Sequence, residues 1–292
     1  MARLSDALQH AGAHFQFVNT GEINGVRLNL EPGPQHWLGH LTLQGQSIPL
    51  QDIAAIYTRP LFFQPSAVNA TVSQHDQATH QQLVEWFDIA PGLVVNRPAT
   101  MQANSSKPFQ IQLIGKAGFL VPPTLVSSDA DEVNEFWRRH GRVIFKSISG
   151  IRSIVTELDA AWVARLDRLA YLPTQFQAWV PGVDIRVHVV GRETFAAEIN
   201  SHATDYRYAQ RNSGTPAQIH ATVLPLEIAA KCIALAESMA LPLAGIDLRR
   251  RLDGEYVCFE VNPMPAYSYF EAESGLPIAA ALAQLLMAAD HE

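Results

Sequence analysis

The chain has 292 residues, 48% of them hydrophobic and 17% charged, a balance that supports about two packed domains and excludes global disorder. Lys and Arg total 21 against 28 Asp and Glu, a formal charge of -7, so no overall positive field exists to hold nucleic acid or an anionic membrane. The two cysteines, Cys232 and Cys258, lie in apolar stretches and can make neither a disulfide framework nor a four-thiolate zinc site; they are expected as small buried hydrophobes.

The opening MARLSDALQHAG lacks the apolar run of a secretory signal. AAALAQLLMAAD near the other end is broken by Gln284 and falls short of the ~20 apolar residues of a span. A cytoplasmic protein with neither a membrane nor a nucleic-acid partner is expected.

In chain order, HFQFVN, VRLNL, LTLQGQSIPL and IAAIYTRP read as strands separated by Gly and Pro punctuation. Residues 74–89 carry helical spacing through Leu83, Val84 and Phe87. GLVVNRP is a strand stopped by Pro98, so residues 1–96 are expected to form a small α/β domain. A linker, MQANSSKP, leads into a helix over 108–118. LVPPTLVSS is extended, and SSDADEVNEFWRRHG has a helix N-cap, early acids, late bases and a closing Gly141. VIFKSISGIRSIV gives strand, loop and strand, and PTQFQAWV a further strand. Residues 97–292 then form a second unit, divided near 180.

Two polar patterns stand out. In DIRVHVVG, alternation puts Asp184, Arg186 and His188 on one strand face, toward solvent or a ligand. In GIDLRRRLDGEYVCFEVNP, Asp253-Gly254 signals a hairpin. A two-residue loop there sets Asp247 opposite Glu260 by equal counting, and alternation adds Cys258 and Asn262 to the face of Glu260. Like charges facing across a ladder repel, so the pair holds a cation, shares a proton or is exposed and hydrated, or the register slips by one residue. Magnesium suits such an oxygen set.

Six motifs in order, KP at Lys107, FK at Lys146, QAWVPGVDIR, DYR at 205–207, GIDLR and FEVNP, resemble those of ATP-grasp ligases. The similarity is to the branch of ribosomal-protein glutamate ligases and microviridin-type peptide maturases, and covers roughly 96–287. It implies a mixed α+β fold, with two α+β subdomains (about 97–180 and 181–292) grasping ATP behind the N-terminal α/β domain. It also implies an ATP- and magnesium-dependent ligase, manganese being an alternative metal, that joins a carboxylate to an amine or hydroxyl through an acyl phosphate.

By the same resemblance Lys107 and Lys146 contact phosphate, and Gln177, Ala178, Trp179 and Val180 form the adenine hinge. Asp184 faces ribose or the cleft. Arg186, Arg207 and Arg211 stabilise the transferred phosphoryl group, while Asp247, Glu260 and Asn262 hold the metal. The loop after Lys146 has only Gly150 where relatives are glycine-rich, so phosphate closure falls to Ser147, Ser149 or Arg152. The substrate is a peptide, a protein tail or a small molecule. A non-catalytic MgATP-binding module is a rival of another class, and a homo-oligomer is compatible with all of these.

Overall fold

The computed structural model describes residues 2–20, 23, 25–59, 70–147, 155–171, 174–201 and 217–289. Arg207 and Arg211 lie outside these residues, as do Ser149, Gly150 and Arg152.

The N-terminal region begins with α1 (Ala2–His10) and an antiparallel meander of β1 (Arg27–Pro32), β2 (Trp37–Leu43) and β3 (Gln46–Pro49). LTLQGQSIPL is thus two strands around Gly45, whose φ of 84° fits the tight turn. HFQFVN, expected as a strand, forms none among the described residues. β4 (Ala55–Tyr57) and β5 (Leu93–Val95) run parallel, joined by α2 (Ala70–Ile89). Leu83, Trp86 and Phe87 of α2 pack on Leu28, Leu41 and Val94. Arg97 donates to the carbonyls of Phe87, Asp88, Ala90 and Gly92, satisfying groups that the end of α2 leaves open.

The next unit starts with α3 (Lys107–Lys116) and a four-stranded antiparallel sheet in the order β6 (Thr124–Ser127), β9 (Thr174–Ala178), β7 (Val143–Ser147), β8 (Thr156–Glu157). α4 (Ala130–His140) covers it. The Asp129 side chain accepts from the N–H groups of Asp131 and Glu132, and Gly141 closes the helix at φ 71°, as the sequence signals require. α5 (Ala160–Val163) is a single turn capped by Asp159.

The larger sheet is antiparallel, ordered β12 (Gln218–Thr222), β11 (Glu193–Asn200), β10 (Val183–Val190), β13 (Leu243–Arg250), β14 (Tyr256–Asn262). One face, through Ile185, Val187, Ile246, Leu248 and Cys258, buries against α6 (Leu226–Ser238) and Ile114 of α3. Toward one end of the opposite face lie α7 (Tyr267–Ser274) and α8 (Ile278–Met287), and α1 packs on α8. Polar side chains occupy the rest of that face.

Candidate active site

Strands β10, β13 and β14 bring the polar residues together. Arg186 pairs in register with Asp247, and its Nη1 donates to Asp247 Oδ1 at 2.7 Å. Arg186 is 5% exposed, and its guanidinium lies over the Phe270 ring and across Gly245. A Cβ at 245 would run into Arg186 Nη2, so the glycine of GIDLR is a steric requirement of the arginine's seat. His188, directly opposite Gly245, is fully buried against Phe270. Neither of its ring nitrogens has a partner among the described residues. Burial and the neighbouring Arg186 hold its pKa well below the usual value, so it is a neutral ring. That part of the polar face is a support for Arg186.

Glu260 is the meeting point of the two sheets. Its Oε1 lies 3.5 Å from Lys107 Nζ and its Oε2 3.5 Å from Lys146 Nζ. Lys107 opens α3, which is fastened to β14 by a reciprocal pair: Gln110 Nε2 donates to the Val261 carbonyl at 2.7 Å and Gln110 Oε1 accepts from the Val261 N–H at 3.0 Å. Lys146 comes from β7 of the smaller sheet. Burial pushes its pKa down, partly opposed by Glu260 and reinforced by Lys107. Phe259 and Gln175 complete the lining of this narrow cleft.

Asp247 does lie opposite Glu260, but not through the expected two-residue loop. Arg251 and Glu255 close a three-residue loop, with Gly254 at φ 89°. A bulge between Asp247 and Leu248 then restores the register by one residue. The bulge breaks alternation: Phe259 and Glu260 both line the cleft, whereas Cys258 points into the core with Cys232. Cys258 therefore does not share the face of Glu260, and burial raises both thiols' pKa values, that of Cys232 to about 12. Nor is the acidic pair uncompensated, since Lys107, Lys146 and Arg186 neutralise it.

The strand end at Gln177–Val180 leaves one carbonyl open in its ladder. Gln177 pairs with Thr124, so Pro123 lies opposite Ala178 and accepts its N–H at 2.9 Å. Proline returns no N–H, which leaves the Ala178 carbonyl without a donor in this ladder. The Trp179 N–H is spent on Arg142, and the indole is engaged by the protein itself: Arg142 and Arg249 lie over its ring at 3.9 and 4.7 Å. Arg249 also donates to Asp184 Oδ1 at 2.8 Å and to the Val180 carbonyl at 2.8 Å. Asp184 thus pairs with an arginine that also holds the end of the 177–180 segment. Sequence reasoning passed over Arg249, although alternation from Asp247 puts it on the same face.

Asp247, Glu260 and Asn262 offer two carboxylates and an amide. The Asn262 oxygen accepts from the Met264 N–H at 2.8 Å, which orients it while leaving a lone pair. Among the described residues no group of three or more His, Cys, Asp or Glu suits a metal; this mixed oxygen set has the hard donors that would suit magnesium.

Lys107 of α3 and Lys146 of the smaller sheet thus meet on the acidic hairpin of the larger sheet, as the resemblance to ATP-grasp ligases implies. The model of the RimK-like ATP-grasp domain matches residues 104–286. A ribosomal protein bS6–L-glutamate ligase of Salmonella paratyphi B is 28% identical over 211 residues, 68% of each chain. Among solved structures, a RiPP-associated ATP-grasp ligase of Chryseobacterium gregarium, in complex with ADP and a leader and core peptide, superposes with a TM-score of 0.83 at 21% identity, over 98% of this chain and 92% of that one. The ATP-grasp ligase PsnB with a minimal precursor gives 0.80 at 25%, over 98% and 94%.

The chain belongs to the RimK-like ATP-grasp family and is an ATP- and magnesium-dependent ligase. Its mixed α+β fold follows that architecture over nearly the whole chain. No helix among the described residues is long and apolar enough to cross a membrane.

Proposed function

We propose that this ligase joins a carboxylate of a peptide to an amine or hydroxyl, through an acyl phosphate. The observation that carries the reading is the convergence of Lys107, at the start of α3, and Lys146, of β7 in the smaller sheet, on Glu260 of the larger sheet. Two compact cations, each with one acidic partner at hand, are suited to exchange that partner for phosphate oxygens. The Ala178 carbonyl receives the adenine amino group. The substrate carboxylate attacks the γ-phosphorus of ATP, the bond to the β,γ-bridging oxygen breaks and ADP leaves. The amine or hydroxyl then attacks the acyl carbon, loses its proton and expels inorganic phosphate. Arg186, and by resemblance Arg207 and Arg211, balance charge on the transferred group. Asp247, Glu260 and Asn262 hold the magnesium, which when bound neutralises phosphate charge.

A peptide substrate is supported by the neighbours solved with leader, core and precursor peptides. Residues 1–96 form the N-terminal domain of this reading, 97–180 and 181–292 the two halves of the grasp, and its dependence on ATP suits the cytoplasm.

Phosphorus NMR of a turnover mixture containing a candidate acidic peptide tests the mechanism. ADP and phosphate are the expected products; AMP and pyrophosphate would refute it.

A further inference from the structure

The segment after the last metal ligand, Asn262-Pro263-Met264-Pro265, contains two prolines and so has few N–H groups with which to anchor itself. Its carbonyls are held instead, and from the far end of the sequence. Asn96, 2% exposed, donates from Nδ2 to the carbonyls of Pro263 at 2.6 Å and Leu243 at 2.7 Å, and its Oδ1 accepts from the Leu243 N–H at 3.1 Å. Arg59 donates from Nη1 to the Pro265 carbonyl at 3.0 Å and from Nη2 to the Met264 carbonyl at 3.4 Å. Three successive carbonyls are therefore taken by two N-terminal side chains. Thr58 ties the two together, its Oγ1 donating to the Asn96 carbonyl at 2.6 Å.

The place of these contacts matters. Gly245 pairs with Asn262, so Asn96, at Leu243 and Pro263, bridges the strands of the acidic hairpin at its metal-bearing end. The Met264 N–H held by Asn262 belongs to the residue whose carbonyl Arg59 fixes.

We infer that Arg59 and Asn96 are positioning residues that hold Asn262 in its metal-binding pose, so that the N-terminal region sets the affinity of the ligase for its divalent cation. This rests on the reading of Asp247, Glu260 and Asn262 as the metal site. Side chains that merely docked one region on another would add stability without distinguishing metal-loaded from metal-free nucleotide.

The experiment is calorimetric titration of ADP with and without magnesium, for the wild type and Arg59→Ala, with thermal melts confirming folding. In the wild type magnesium strengthens ADP binding. In Arg59→Ala, metal-free ADP binding stays within about twofold of wild type, while the magnesium enhancement falls about fivefold, the equivalent of one ordinary hydrogen bond. Arg59→Lys, which keeps the charge and one donor group, falls between them and serves if the alanine variant is poorly folded. An undiminished enhancement in the variants, or an equal loss of affinity with and without magnesium, overturns the inference and leaves the metal site standing. Absence of any enhancement in the wild type overturns both.

Discussion

Glu260 is a countercharge for two lysines, and in the proposed mechanism it is also a ligand of the metal. Viewed as half of a like-charge pair with Asp247, its neutralisation should relieve repulsion. The geometry reverses that sign, because each of its oxygens faces a lysine whose side chain is only 10–11% exposed. Glu260→Gln in metal-free protein leaves Lys107 and Lys146 repelling each other with no anion between them. The expected cost is about 1–3 kcal/mol, between the values for exposed and buried pairs. ADP without magnesium should recover part of that loss, since its phosphates supply the missing charge, while ligation is abolished. Thermal melts with and without ADP check this; a variant as stable as wild type in both would mean that the two ion pairs are not formed in solution.

At the scale of elements, what local chemistry dictates was legible and what tertiary pairing dictates was not. The N-cap of α4, the strand with Arg186 and the hairpin at Asp253-Gly254 each follow from a few adjacent residues. The opposition of Asp247 and Glu260 was reached by counting, yet a longer loop and a bulge cancelled to produce it, and the same bulge moved Cys258 to the other face. No local signal marks this bulge, which accompanies Phe259 lining the cleft beside Glu260. Pro123 is a similar case: its proline is visible, but its function appears only once its strand partner, Ala178, is known. Pro123→Ala returns an N–H that can bond the Ala178 carbonyl. A net hydrogen bond of about 1 kcal/mol now competes with the adenine amino group, so ATP affinity should fall about fivefold while the fold is retained. Calorimetric titration measures it, and unchanged affinity would place the adenine contact elsewhere.

For the whole molecule, the first and last described helices form part of one core. Leu4 and Leu8 of α1 pack with Ile278 and Leu282 of α8 and with Val190 and Leu243, which pair at one end of the central strands β10 and β13. Asn96 and Arg59 tie the same N-terminal region to the acidic hairpin. Hydrophobic contact and hydrogen bonds thus couple the N-terminal region to the catalytic sheet rather than leaving it as an appended module, and the two should unfold together. Leu4, 3% exposed, is the point at which to test this. Leu4→Ala removes buried methyl groups and leaves a cavity, a loss of about 2–5 kcal/mol. If α1 and the sheet form one cooperative unit, the whole melting curve moves to lower temperature as a single transition, whether followed by far-ultraviolet circular dichroism or by tryptophan fluorescence. If the N-terminal region were independent, the variant would show an early partial transition while the ADP-stabilised part of the molecule melted at the wild-type temperature. That result would also remove the physical route by which Arg59 and Asn96 act on the metal site, since a region that detaches first cannot hold a ligand in place.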